Sequence, residues 1–245
     1  MPNVASYLFF ILFIVFSQYL LPGFVRKFFL PPPRERSAVT ARGSLYSVTV
    51  LIVLLQAGIA ILVGLLNQLQ IFGAKEFELK TVLWAIGFLG LMVLFADPLE
   101  WKYTSIQVKK RLIAFFPNNA QERVIWIAVS FSIALSEEIV YRAVLFGLFY
   151  RLLGTYWTAG IDSAAFFAFA HRSYGRISVG STFVVGLVLQ WFVRISGGLY
   201  ISIAVHFIHN YLALIYAIRG EPVQNPDAAL AEIEIKSHVN HHASK

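Results

Sequence analysis

Seven stretches of this chain run predominantly apolar, at about residues 4–23, 45–68, 81–97, 123–150, 155–171, 177–195 and 198–218. A helix needs about twenty apolar residues to cross the hydrocarbon core of a bilayer. The pattern predicts an all-α, polytopic transmembrane helix bundle of about seven spans, or eight if one long run is split. The second and fourth runs are long enough to tilt or to project from the membrane. The fifth is short and carries Asp162 and Ser163, so its margins are the least defined. Between the first two runs, Pro31, Pro32 and Pro33 stop any helix. The stretch 98–122 is basic and partly amphipathic, with Lys109, Lys110 and Arg111 before Leu112, and suits the membrane interface. Asn119 and Glu122 have the spacing of a capping pair that opens the fourth helix. The organisation read from this pattern is three N-terminal helices with basic loops over 1–122, four helices over 123–218 and a loose polar tail over 219–245.

Composition strengthens the membrane reading. The 245 residues are 58% hydrophobic and only 13% charged, against about 25% charged in soluble domains. The chain therefore has too few charges to cover a water-facing surface. No cysteine is present, which excludes disulfides, thiolate metal sites and a cysteine nucleophile. The formal net charge of +7 clusters in the loops between apolar runs. It points to a lipid surface and to no nucleic-acid partner. With the N-terminus outside, fifteen Lys and Arg fall on the inner side and four on the outer, leaving Arg142 in the membrane. The positive-inside rule then places the C-terminus in the cytoplasm. The first apolar run lacks a basic leader and a small-residue cleavage site, and reads as a retained helix.

The fourth run contains the residues that composition does not explain. Glu137 and Glu138 sit side by side in an apolar helix, followed by Arg142. Each such charge at a helix centre costs about 2.5–3.5 kcal/mol on insertion scales. Charges like these are kept when they pair, face a wet cavity or do chemistry. Glu138 and Arg142 are four apart and share a helix face, while Glu137 points about 100° away. Two more polar clusters follow. Phe167-Ala-Phe-Ala-His171 closes the fifth run, and His206-Phe-Ile-His209-Asn210 puts His206 and Asn210 on one face of the seventh. Taken singly, each has a plainer reading. The Glu–Arg pair can be a packing bridge, His171 an interfacial residue, and His206 with Asn210 interhelical hydrogen-bond glue. The tryptophans read as lipid contact and aromatic belt, and Gly180, Gly186, Gly197 and Gly198 as close-packing positions. Together, an acid, two histidines and an asparagine in apolar helices form a catalytic inventory.

In their order and spacing, Glu137-Glu138-x-x-x-Arg142, Phe167-x-x-x-His171 and His206-x-x-x-Asn210 resemble the CAAX prenyl endopeptidase and bacteriocin-processing family. These are intramembrane glutamic proteases, also called the ABI family. The resemblance covers about residues 123–215. It implies that Glu137 is the general base that activates water and that His171 holds that water. His206 and Asn210 would then stabilise the oxyanion, with Glu138 and Arg142 supporting Glu137. It implies a metal-independent endopeptidase without cofactor. Such an enzyme cuts near the C-terminus of a membrane-associated or lipidated protein or peptide. A bacterial plasma membrane is the expected location, and the charge count expects the site to open to the cytoplasm. Two other readings remain open on the residues alone. One is a zinc protease using Glu137, His171 and His206, although no His-Glu-x-x-His helix is present. The other is a non-enzymatic transporter, immunity or scaffold protein, since intramembrane Glu, Arg and His also mark ion pathways.

Overall fold

The computed structural model describes residue 8 and residues 10–12, 38–73 and 78–219, with the side chains at 38–41, 111, 114 and 214–219 left undescribed. The expected first span, the proline stop and the C-terminal tail fall largely outside the described residues. Seven helices follow: α1 (Ala38–Leu66), α2 (Leu79–Tyr103), α3 (Ile106–Phe115), α4 (Ala120–Leu153), α5 (Tyr156–Ala170), α6 (Arg176–Ser196) and α7 (Tyr200–Arg219). No strand occurs among the described residues.

Among the described residues, four helices are long and apolar enough to cross a membrane: Arg42–Leu66 of α1, α2, α4 and α6. α5 has 15 residues, about 22 Å of helix at 1.5 Å per residue, which is short for a full crossing. Large apolar side chains such as Leu51, Leu62, Leu83, Trp84, Ile86 and Leu94 point outward and are exposed. A bundle that turns leucines and tryptophans outward along its length is built for lipid.

Two helices contain π-helical turns. In α2 the turn Met92–Ala96 precedes Pro98. Proline offers no N–H and its ring crowds the preceding turn. A widened turn absorbs that defect, and the helix runs on to Tyr103 rather than stopping near 97. In α4 the π-helical stretch Glu138–Leu145 contains no proline. Its eight residues are all buried, and it opens at the second glutamate. Such bulges occur frequently at functional sites. α4 ends at Gly154, whose φ of 74° is the left-handed cap that glycine adopts most cheaply.

α4 is the central helix. It packs against α1, α5 and α7, while α6 covers α5 and α2 closes against α6 and α7. Its 34 residues give about 51 Å of length, well beyond the ~30 Å hydrocarbon core. It must therefore tilt or project, as a depth of about 20 Å between Arg123 and Glu137 requires. The main core joins Ile139, Val144, Leu145 and Leu148 of α4 to Ala60 of α1, Phe167 of α5 and Leu199. A smaller cluster sets Tyr46 against Trp126, with Phe115 and Phe116 on the indole. Trp126 is 4% exposed, so it belongs to the core and not to a lipid belt. Of the expected close-packing glycines, Gly186 meets Ala164 of α5 and Gly198 meets the 72–73 backbone, whereas Gly180 faces open space.

The start of α4 is pinned as the sequence suggests, with one change. Asn119 Oδ1 accepts the Glu122 N–H at 2.8 Å. The Glu122 carboxylate does not return that bond to Asn119. It accepts the Asn118 N–H at 2.8 Å and the Arg42 Nε–H at 3.1 Å. Arg42 is buried in this pair.

Candidate active site

The two adjacent glutamates meet different fates because the helix widens between them and its neighbours differ. Glu138 is fully buried. Its Oε1 accepts a hydrogen bond from His206 Nδ1 at 2.8 Å, and its Oε2 lies 3.4 Å from Arg142 Nε. Ser202, one turn before His206, is also fully buried and gives its hydroxyl to the Leu199 carbonyl at 2.9 Å. Glu137 keeps 16% of its side chain exposed, and its Oε2 lies 3.4 Å from His206 Nε2. That oxygen has no hydrogen-bond partner among the described residues.

The imidazole of His206 therefore stands between two carboxylates. The cluster sets two acids beside one guanidinium and one imidazole. Groups that meet partners of complementary polarity can persist in an apolar bundle, where an unpaired ion is costly.

Phe167 joins the remaining parts. Its ring lies 4.0 Å under the Arg142 guanidinium, 4.8 Å from the His171 ring and 5.9 Å from the His206 ring. His171 terminates α5, and its Nδ1 lies 2.9 Å from the Phe167 carbonyl. A ring that donates Nδ1–H there carries its lone pair on Nε2, which fits a proton acceptor. Sequence reading placed Phe167 in a motif without assigning it a task; the structure makes it the platform on which Arg142, His171 and His206 rest.

The expected site residues are only partly assembled. Glu137, Glu138, Arg142 and His206 meet directly, and His171 joins them through Phe167. Glu138 and Arg142 were expected to support Glu137; the contacts they make run to His206 and Phe167. Asn210 is half-buried on α7, and no hydrogen bond joins it to Glu137, His171 or His206 among the described residues. His209 turns away and binds Asp97 of α2, with Nε2 at 3.0 Å from Oδ1.

The residues that sequence reading missed are small hydroxyls. Ser163 Oγ donates to the Tyr141 carbonyl at 2.5 Å, supplying a partner inside the π-helical stretch. Ser136 Oγ does the same for the Val53 carbonyl of α1 at 2.5 Å. A serine beside Glu137 and a serine beside Asp162 were the available signals, each too common to stand out.

Carboxylate, imidazole and guanidinium, drawn from three helices and buried in an apolar bundle, form a site suited to proton transfer rather than to a membrane-surface contact. Residues 119–212, which hold α4, α5, α6 and most of α7, match the family described as Type II CAAX prenyl endopeptidase Rce1-like. This stretch is similar to that family over fewer than half of the chain's residues. Comparison with curated proteins and with solved structures gives no match.

Proposed function

We propose that the protein is an intramembrane glutamic endopeptidase. It hydrolyses a peptide bond near the C-terminus of a membrane-associated, lipidated protein or peptide, without a metal ion. The observation that carries this reading is the unpartnered Glu137 oxygen 3.4 Å from the His206 imidazole, inside the domain that matches the prenyl endopeptidase family.

In this reading a water molecule sits between Glu137 and the Nε2 side of His171. Glu137 takes its proton as the oxygen attacks the scissile carbonyl. The carbonyl oxygen becomes an oxyanion, stabilised by His206 and Asn210 once substrate draws α7 onto it. Donors placed on a developing oxyanion typically contribute 10²–10³ in rate each. The proton held by Glu137 then passes to the leaving amine. Glu138 and Arg142 hold His206 and Phe167 in place throughout. The distribution of basic residues favours a site that opens to the cytoplasmic face.

The test is mass spectrometry of products from a lipidated peptide incubated with the purified protein, with and without chelator. One defined cut near the C-terminus, unchanged by chelator, is the expected result. Cleavage that stops with chelator and returns with zinc would move the chemistry to a metal.

A further inference from the structure

α7 carries His206 and Asn210, and acids on two different neighbours hold it. On the α4 side, Glu138 accepts the His206 Nδ1–H at 2.8 Å. On the α2 side, His209 Nε2 lies 3.0 and 3.1 Å from the two Asp97 oxygens. We propose that Asp97 is a positioning residue: through His209 it fixes the rotation of α7, and so the place from which Asn210 reaches the oxyanion. The proposal rests on the protease reading above and adds a residue to which that reading gives no task.

Asp97 lies within Leu79–Tyr103, a stretch long and apolar enough to cross a membrane. An acid in such a stretch is costly and marks a function by default. The backbone is widened just before it. The π-helical turn Met92–Ala96 closes with the Asp97 N–H bonded to the Met92 carbonyl. A turn of this kind holds one extra residue, so the side chains beyond it stand at a different angle from those of an unbroken α-helix. Pro98 accounts for the turn but not for an acid at its end. The segment after the turn is itself anchored, because Glu100 accepts the Ser181 hydroxyl of α6. Asp97 is thus a fixed post to which α7 is tied.

The second half of α7 is where such a tie matters. In the first half, Ile201 and Val205 pack with Ala85 of α2 and Phe192 of α6, and His206 is buried. From Phe207 to Ala213 no residue is fully buried. Apolar packing is non-directional, so it resists rotation of a helix about its axis less than a hydrogen bond does. At about 100° per residue, His209 lies about 60° to one side of His206 and Asn210 about 40° to the other. Ties at His206 and His209 therefore act in two directions around the axis and leave α7 no free rotation. Asn210 follows directly after the second tie. Its backbone position is set, and only its side chain remains free to close on a substrate.

The experiment measures kcat, KM and unfolding temperature on a lipidated peptide for wild type, Asp97→Ala, His209→Phe and the double variant. Asn210 acts on charge that exists only in the transition state, so displacing it lowers kcat and leaves KM unchanged. A misplacement of about 1 Å can cost about 10²-fold, and each variant is expected to lose about 10–100-fold in kcat. The double variant removes both partners and leaves neither unpaired, so it should keep the wild-type unfolding temperature. It carries the test if a single variant does not fold. Asp97→Asn, which still accepts from Nε2–H, should recover most of the rate. The deciding comparison is made in Asn210→Ala: adding Asp97→Ala there should cost nothing more, because the residue it positions is gone. Full kcat in the folded double variant, a loss confined to KM, or an equal further loss with and without Asn210 overturns the proposal and leaves the protease reading standing. Absence of cleavage by wild type rejects the protease reading, and the proposal with it.

Discussion

His206 hydrogen-bonds Glu138 through Nδ1 at 2.8 Å across 68 positions of sequence. Its other ring nitrogen meets the neighbouring Glu137 only at 3.4 Å. One imidazole thus gives two adjacent carboxylates different work. Glu138 is held by His206 and Arg142, and one Glu137 oxygen is left without a hydrogen-bond partner among the described residues.

That division predicts opposite effects on stability. Glu138→Ala leaves Arg142 buried without its acid, and breaking a buried pair in this way costs about 3–5 kcal/mol. Its unfolding temperature in detergent should fall markedly. Glu137→Gln keeps the shape and removes a half-satisfied charge, so its unfolding temperature should stay at or above wild type. Thermal unfolding of the two variants side by side checks this. Equal destabilisation would mean that the two acids share one structural role.

Phe167 supports Arg142, His171 and His206 at once. Phe167→Leu keeps an apolar side chain of similar bulk and loses the ring face under the guanidinium, a contact worth about 2 kcal/mol when desolvated. Peptide cleavage should drop at least tenfold while the protein remains folded. Full activity in this variant would show that the ring is only filler.

How much of this was legible in the sequence depends on what each residue contacts. The helical bundle and the three motifs are local patterns, visible as apolar runs broken by a few polar positions. Glu138 with Arg142 is legible for the same reason, because four residues on one helix make neighbours. The partner of His206 is not, since nothing within α7 indicates which of two adjacent acids on α4 it meets. The π-helical stretch at Glu138–Leu145 is hidden as well. No proline marks it, and the serine on α5 that satisfies its Tyr141 carbonyl looks like any small polar residue in a helix. The extension of α2 past 97 was missed because Asp97, Pro98 and Glu100 look like a loop, whereas the widened turn before them lets the helix continue.

That serine is open to a direct check. Ser163→Ala removes the donor to the Tyr141 carbonyl inside a buried segment. The Tyr141 carbonyl still accepts the Phe146 N–H, so the loss is that of one net hydrogen bond, about 0.5–1.5 kcal/mol. Stability should fall by that amount, and cleavage should fall with it because Glu138 and Arg142 lie on the same π-helical stretch. Ser163→Thr, which keeps the hydroxyl, should recover most of both. Unchanged melting in Ser163→Ala would remove the serine from the account.

The Arg42–Glu122 pair is a structural test remote from the chemistry. Both side chains are buried, with Nε 3.1 Å from both carboxylate oxygens. Either single change to Ala should cost about 3–5 kcal/mol, and the double change should cost less than the sum of the two. Cleavage per folded molecule should match wild type in all three. A loss of activity in the folded fraction would tie the start of α4 to the site.

The most direct measurement of the central claim is the cleavage rate of a lipidated peptide by wild type and by Glu137→Gln at equal folded concentration. With Glu137 as the base that activates water, the variant should lose about 10²–10⁴-fold in kcat with its melting temperature preserved. A folded Glu137→Gln protein that cuts the same bond at the wild-type rate would contradict the account.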